Sequence, residues 1–441
     1  MDTVTETPRE YANHIAGKSV PASDGRTFES TNPATGKVWA RFAEPSRAAW
    51  DWAVRAAAEA FEGPWGKLSP TRRGRQMMAW GDRIAANAET IASLETQQNG
   101  KLITEMRAQA KVVKDWLYYY GGLADKIEGR VIPIERASVL NYTLREPLGV
   151  IGVIVPWNSP TFLTIMSVAP ALAAGNTIVL KPSDVTSASA FELARLAEEA
   201  GFPPGVVNVV TGGREAGEAL VEHERVAKIS FTGSEAGGKA IASRAGARLA
   251  GVTFELGGKS PNIVFQDANL DQAEAGVLAG IFAAAGQTCV AGSRAFIHES
   301  IYDEMRERLV SRARKIRLGD PLLAETQMGP VATKMQFQKD QQMIERAVGE
   351  GAQVLTGGRK ASVAGFADGL FFEPTILANA GPANHIMNEE VFGPVLALTP
   401  FHDEDEVVRL ANATRFGLAA GVWTRDLARA HTMARRLQGG T

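Results

Sequence analysis

The stretch "VIGVIVPWNSPTFLTIMSVAPALAAGNTIVLKPSD", residues 150–184, decides the fold. It reads as an apolar run, a helix-length segment and a second apolar run. The runs "VIGVIV" and "NTIVL" are apolar throughout rather than alternating, as strands covered on both faces must be. A helix-length crossover between two such strands makes a βαβ unit, which forces them to lie parallel. Further strand-like runs begin near Val206, Lys228 and Val252, and each of the first four in the series is followed by an amphipathic segment of helical length. The series predicts a parallel sheet with helices on both faces and a nucleotide-type ligand at the carboxyl ends of its strands.

Upstream, to about residue 125, the chain reads as helical. "DWAVRAAAEAFEGPWG" and "SPTRRGRQMMAWGDRIAANAETIASLETQQNG" carry apolar residues at helical spacing, with Ser69-Pro70 as a start and Gly100 as a stop. The segment "EGRVIPIERASVLNYTLREPLG", residues 128–149, alternates instead and predicts a protruding hairpin. Downstream of "ELGGKSPNIVF" alternation resumes through "RAFIHES", "AQVLTGG", "FFEPTIL", "PVLALTPF" and "AAGVWT". A second α/β domain is therefore expected from about residue 258, sharing a cleft with the first, where small-molecule chemistry usually sits.

Composition narrows the function. The 441 residues are 45% hydrophobic, ample for sizeable cores, and 47 Lys plus Arg against 49 Asp plus Glu leave a formal net charge of -2. Nothing there draws the chain to nucleic acid or an anionic membrane. The opening "MDTVTETPREYANHIAGKSV" has no apolar core of the kind a secretory signal requires. Runs such as "AGVLAGIFAAAG", residues 275–286, fall short of the ~20 residues that span a membrane. A cytoplasmic protein is expected. Its single cysteine, Cys289 in "AAAGQTCVAGSR", rules out an intramolecular disulfide and a multi-thiolate metal site, so it is either inert packing or a reactive thiol, and no metal is expected.

Two phosphate signatures fail. No G-x-G-x-x-G is present, and "GSEAGGKA", residues 233–240, has Ala240 where a P-loop needs Ser or Thr. Yet Gly233-Ser234 falls where the strand "AKISF" turns into a helix, whose N-terminal N–H groups could receive a pyrophosphate. A plain Ser N-cap is the competing reading.

The remaining motifs combine. "FELGGKSP" places Glu255 at the end of the fifth strand, "FAAAGQTCVAGS" places Cys289 after a helix, "VPWNSP" places Asn158 after the first strand and "VLKPSD" places Lys181 at the end of the second. A Glu-Leu-Gly-Gly-Lys whose Glu stands 34 residues before the Cys of a Gly-Gln-x-Cys, with "EEVFGP" beyond, resembles the aldehyde dehydrogenase superfamily from about Tyr11 to the last residue. The resemblance implies a Rossmann-like NAD(P)-binding domain (1–126 and 148–257), an oligomerisation hairpin (127–147) and a catalytic α/β domain (258–441). It implies that Cys289 attacks an aldehyde carbon, with Asn158 and the Cys289 N–H as oxyanion donors. Glu255 would act as general base on the thioester, a role suited to a partly desolvated carboxylate. NAD, or NADP, would be held by Lys181, Asp184, Trp157, Gly233, Ser234, Glu390 and Phe392. Asp184 stands where NAD-preferring members often carry Glu.

The substrate pocket would be lined by Ser159, Phe162 and Met166 on one helical face, with Leu163 beside them, and by Thr288 and Val290 next to the thiol. Ser159 and Met166 stand where some relatives carry bulkier aromatics, which suggests room for aromatic or branched aldehydes. The chain stops at "RRLQGGT", before a segment that in the family completes the catalytic domain and supplies a strand to a neighbouring subunit. A homodimer or homotetramer is expected if that strand is supplied, and an NAD-binding remnant acting as a structural subunit is the alternative. Transfer of the acyl group to coenzyme A is disfavoured by Glu255.

Overall fold

The computed structural model describes residues 7–441; the first six, part of the segment read above as lacking an export signal, lie outside the described residues. Two compact units emerge, one of Met1–Thr31, Val38–Gln98 and Met106–Glu255, the other of Asn32–Lys37, Asn99–Glu105 and Leu256–Thr441. Two short segments that the sequence assigned to the first domain thus belong to the second unit. Backbone bonds explain the assignment: Leu370 N donates to Pro33 O (2.9 Å) and Ile103 N to Pro321 O (2.9 Å).

The first unit is built on a seven-stranded sheet in the order Gly251–Glu255, Val226–Thr232, Val150–Ile154, Thr177–Lys181, Val207–Val209, Asn13–Ile15, Lys18–Val20. The first five run parallel. Because the strand at Val150 is the first of these five in the chain and lies in their middle, the order reverses between it and the strand at Val226. That is the switch point of a doubly wound sheet, where ligands bind beyond the carboxyl ends. Val150–Ile154 and Thr177–Lys181 are buried along their whole length, as their unbroken apolar sequences require. Helices Pro160–Ala173, Ala188–Glu199, Arg214–Glu222 and Glu235–Ala247 follow Val150–Ile154, Thr177–Lys181, Val207–Val209 and Val226–Thr232 in turn.

The expectation that everything before residue 125 is helical is wrong for its first third. Short strands Arg9–Tyr11, Asn13–Ile15, Lys18–Val20, Thr27–Thr31 and Val38–Ala43 precede the first helix, Arg47–Glu62. Asn13–Ile15 and Lys18–Val20 form a hairpin through Ala16 (φ 52°) and Gly17 (φ 76°), both left-handed, as a tight two-residue turn requires. Strands of three residues show no readable alternation; these are fixed by their neighbours, as when His14 pairs with Val209. The helices that follow agree with expectation. Ser69 Oγ accepts from Arg72 N (3.4 Å) with Pro70 in the first turn, and Gly100 (φ 74°) ends the run. Trp65 and Trp80 are wholly buried, their indole N–H groups donating to Asn176 O (2.9 Å) and Leu193 O (3.0 Å).

Residues 128–149 fold as an antiparallel excursion with one isolated bridge, Val131 to Tyr142, and bonds from Ile132 N to Asn141 O (2.8 Å) and Thr143 N to Arg130 O (2.9 Å). Its apolar side chains face outward; Val131, Leu140 and Leu144 are 74%, 73% and 71% exposed.

The second unit holds a six-stranded sheet in the order Gln353–Thr356, Thr375–Ala378, Val395–Phe401, Arg294–His298, Pro261–Val264, Gly421–Trp423, parallel except at its first pair. Alternate residues fill cores on its two faces, Ile263, Phe296 and Ala397 on one and Val264, Ile297 and Leu396 on the other.

Candidate active site

In the first unit the expected residues gather at the carboxyl ends of the parallel strands. Trp157 and Asn158 lie in the loop after Val150–Ile154, with Trp157 half-buried and Asn158 buried. Lys181 closes its strand, buried, with Nζ donating to Pro182 O (3.1 Å). Burial lowers its pKa to about 8, against the pull of Asp184. Asp184 turns back on its own loop, Oδ1 accepting from Val185 N (3.1 Å) and Ser183 Oγ (3.3 Å). Gly233 follows Val226–Thr232 and must lack a side chain, because a Cβ would meet the Phe231 ring at 2.5 Å. Ser234 is indeed an N-cap, with Oγ accepting from Gly237 N (3.1 Å) at the start of Glu235–Ala247. Gly233 N donates to Glu255 O (3.0 Å), which holds the end of the fifth strand beside this helix start. The Glu255 side chain, at the end of the sheet's outermost strand, is exposed, a correction to the partial desolvation expected of it.

On the helix Pro160–Ala173, Phe162 and Met166 are half-buried and Leu163 joins the core. Ser159 lies just outside the helix (φ −150°, ψ 68°), so the expected four-residue stripe loses its first member. Phe162 meets Trp116 edge-on (6.1 Å, 87°), and Trp116 stacks on Tyr120 (6.1 Å, 19°).

In the second unit Cys289 occupies a turn closed by Ala291 N donating to Thr288 O (3.0 Å). It is half-buried, as is Thr288, whereas Val290 is 47% exposed. The turn follows helix Leu270–Phe282 and three left-handed residues, Ala284 (φ 53°), Ala285 (φ 52°) and Gly286 (φ 71°). Two glycines of "ELGGK" give this turn its place. A Cβ on Gly258 would overlap the Cys289 carbonyl, and one on Gly257 would overlap the Glu390 carboxylate. Gly258 N donates to Glu390 Oε1 (3.0 Å), and burial raises the Glu390 pKa, opposed by that bond and by nearby cations including Lys339, Lys259 and Arg415. Gly286 in turn packs against the Gly393 carbonyl. The thiol turn, the start of the unit and the "EEVFGP" loop with Glu390 and left-handed Phe392 (φ 65°) are therefore one packed cluster.

The model of the aldehyde dehydrogenase family matches residues 20–441. The chain is 44% identical over 436 residues to the (Z)-2-((N-methylformamido)methylene)-5-hydroxybutyrolactone dehydrogenase of Acinetobacter baylyi, covering 98% of this chain and 88% of that one. It is 43% identical to aldehyde dehydrogenase 1A1 of Gallus gallus, over 95% and 82% of the two chains. The NAD+ complex of an aldehyde dehydrogenase from Bacillus cereus superposes with a TM-score of 0.95 at 40% identity, covering 98% and 88%. The chain belongs to the aldehyde dehydrogenase family.

Family membership makes this an enzyme of aldehyde oxidation with the α/β fold that the sequence implied. The structure adds residues of this aldehyde dehydrogenase that sequence reasoning missed. Glu95, buried on helix Ala88–Asn99, accepts from Thr161 N (2.7 Å) and caps the helix behind Asn158, for which Ser159 provides no side-chain cap. Gln98 does the same for Ala188 N (2.7 Å). The signal was present as polar residues on the buried face of a helix, but only their partners show their use. Lys259, the lysine of "ELGGK", is wholly interior, and burial lowers its pKa to about 7. Beside it Arg294 donates to Lys259 O, Leu410 O and Ala411 O (2.9, 3.2 and 2.8 Å).

Proposed function

We propose that the enzyme oxidises its aldehyde to the carboxylic acid by covalent catalysis on Cys289. The observation that carries this reading is the packing of the Cys289 turn against Gly258 and, through Gly286, against the loop that bears Glu390. A side chain that merely fills a core needs no such turn. The Cys289 thiolate attacks the aldehyde carbon, a C–S bond forms, and the carbonyl pair moves to oxygen, where the Asn158 amide and the Cys289 N–H receive it. NAD, when bound, would supply the two-electron oxidant for loss of hydride from that carbon, and Cys289 would then carry the acyl group as a thioester. Glu255 then takes a proton from water as that water attacks the thioester; the C–S bond breaks, the pair returns to sulfur and the acid leaves. An exposed carboxylate has water at hand for this step.

The residues of the first unit fit NAD. The switch point, the N-terminus of Glu235–Ala247, the side-chain-free Gly233 and the buried ammonium of Lys181 form a cradle for a pyrophosphate and ribose hydroxyls. Lys181, Ser234, Gly233 and Trp157 hold the adenosine and phosphate end; Glu390 and Phe392 serve the nicotinamide end. Asp184 favours NAD over NADP by repelling a 2′-phosphate. Ser159, Phe162, Met166, Thr288 and Val290 line the aldehyde pocket, which admits aromatic or branched aldehydes. The unit ending at Glu255 is the cofactor domain, the unit from Leu256 the catalytic domain, and residues 128–149 the contact between subunits of a cytoplasmic homo-oligomer. Among the described residues no helix is long and apolar enough to cross a membrane.

The deciding experiment is aldehyde-dependent NADH formation by the full chain across aliphatic and aromatic aldehydes, with Cys289→Ala alongside and NADP at matched concentration. NADH and free acid from the parent chain, with turnover lost in Cys289→Ala, is the expected result. NAD binding without turnover in either chain, or an active Cys289→Ala, overturns the mechanism, and a clear NADP preference overturns the cofactor choice.

A further inference from the structure

Ala284 and Ala285 are consecutive non-glycine residues in the left-handed region, followed by left-handed Gly286. Such a run persists only where surrounding groups over-determine it. Both peptide groups of Ala284 are held. Its N–H donates to Glu105 Oε1 (2.9 Å), 179 residues away in sequence. Its carbonyl accepts from Gln287 N (3.1 Å) and Gln287 Nε2 (3.1 Å), while Gln287 Oε1, wholly buried, accepts from Ala332 N (2.8 Å). Glu105 is itself immobilised. It is the third residue of helix Ile103–Leu123, and its Oε2 accepts from Leu102 N (3.3 Å), the reach-back of a capping box. One carboxylate thus caps a helix with one oxygen and pins the strained turn before Cys289 with the other.

We propose that Glu105 is a positioning residue for Cys289: through Ala284 it holds the left-handed run that sets the direction in which the thiol turn leaves the helix Leu270–Phe282. This rests on Cys289 being the nucleophile. Without the Glu105 bond, Ala284 relaxes toward a right-handed conformation, Gln287 loses its carbonyl partner, and the thiol no longer stands where the oxyanion donors and the substrate carbon require it. A displacement of that kind reads as loss of kcat rather than of cofactor affinity.

The test uses the full chain, its one cysteine making thiol chemistry unambiguous. Parent, Glu105→Ala, Glu105→Asp, Ala284→Gly and the double variant Glu105→Ala/Ala284→Gly are compared by iodoacetamide alkylation rate, kcat, KM for NAD and Tm. Glu105→Ala is expected to slow alkylation by about tenfold and kcat by roughly 100-fold, with KM for NAD unchanged. Glycine adopts a positive φ freely, so Ala284→Gly in the same chain restores most of both losses. Glu105→Asp, too short to reach Ala284 from its cap, gives the same loss and keeps the readout if Glu105→Ala does not fold. Unchanged alkylation and kcat in the Glu105 variants overturn the inference. So does a fall in Tm with losses that Ala284→Gly does not repair, since that describes a cap and nothing more. Alkylation needs no turnover, so an inactive parent chain would sink the mechanism above while leaving this readout intact.

Discussion

A methyl group on Gly258 would overlap the carbonyl oxygen of Cys289, so Gly258→Ala tests how finely the thiol is placed. The backbone must shift, at about 1–3 kcal/mol, and kcat is expected to fall ~100-fold with little change in KM for NAD; steady-state kinetics and urea unfolding measure the two effects. Asp340 makes a different statement. Its carboxyl is wholly buried, Oδ1 accepting from Gln336 Nε2 (2.7 Å), and burial raises its pKa to about 7, against the Gln336 bond and the charge of Lys339. An unfolded aspartate titrates near ~3.9. Between these values the folded chain keeps a proton that the unfolded chain has released, so stability falls as pH rises from ~4 to 7 and is level above. Asp340→Asn lacks that loss. Relative to the parent it should gain on the order of 3 kcal/mol between pH 4 and pH 8, and urea midpoints at the two pH values decide. An equal difference at both would show that Asp340 is ionised in the fold.

At the scale of elements, the helix Glu235–Ala247 carries two roles at one residue. Ser234→Ala removes the N-cap bond to Gly237 N, a loss of about 1 kcal/mol. Ser234→Asp keeps a capping oxygen but adds a negative charge at the proposed pyrophosphate position. It should leave Tm near that of the parent while weakening NAD binding by roughly tenfold or more, measured by fluorescence titration; unchanged binding would remove the pyrophosphate from this helix. The same elements show what a sequence can and cannot convey. Val150–Ile154 and Thr177–Lys181 are legible because burial on both faces leaves an unbroken apolar run. The hairpin at Ala16-Gly17 is not, because each strand has three residues and owes its place to pairing with residues far along the chain. Cys289, Glu255, Asn158 and Lys181 stand out through residue type and spacing. Glu95, Gln98 and Glu105 do not: a carboxylate or amide that serves a distant peptide group looks, in sequence, like any polar residue on a helix.

For the whole molecule, the exposed apolar side chains of residues 128–149 are the clearest departure from an ordinary monomer surface. If that excursion joins subunits, Leu140→Asp with Leu144→Asp should convert the oligomer to a smaller species in light scattering without loss of secondary structure; an unchanged mass would place the interface elsewhere. The interleaved chain path has an effect of its own. Asn32–Lys37 and Asn99–Glu105 belong to a unit whose remaining residues begin only at Leu256. On the ribosome, Glu105 is made 179 residues before Ala284, the group it holds. At a synthesis rate of ~5–20 residues per second, that is roughly 10–40 s of waiting. The doubly wound sheet can close in that interval, while the left-handed run before the thiol cannot be secured until its anchor, long since made, is met. Translation order therefore makes the chemistry of this enzyme one of the last things its fold acquires.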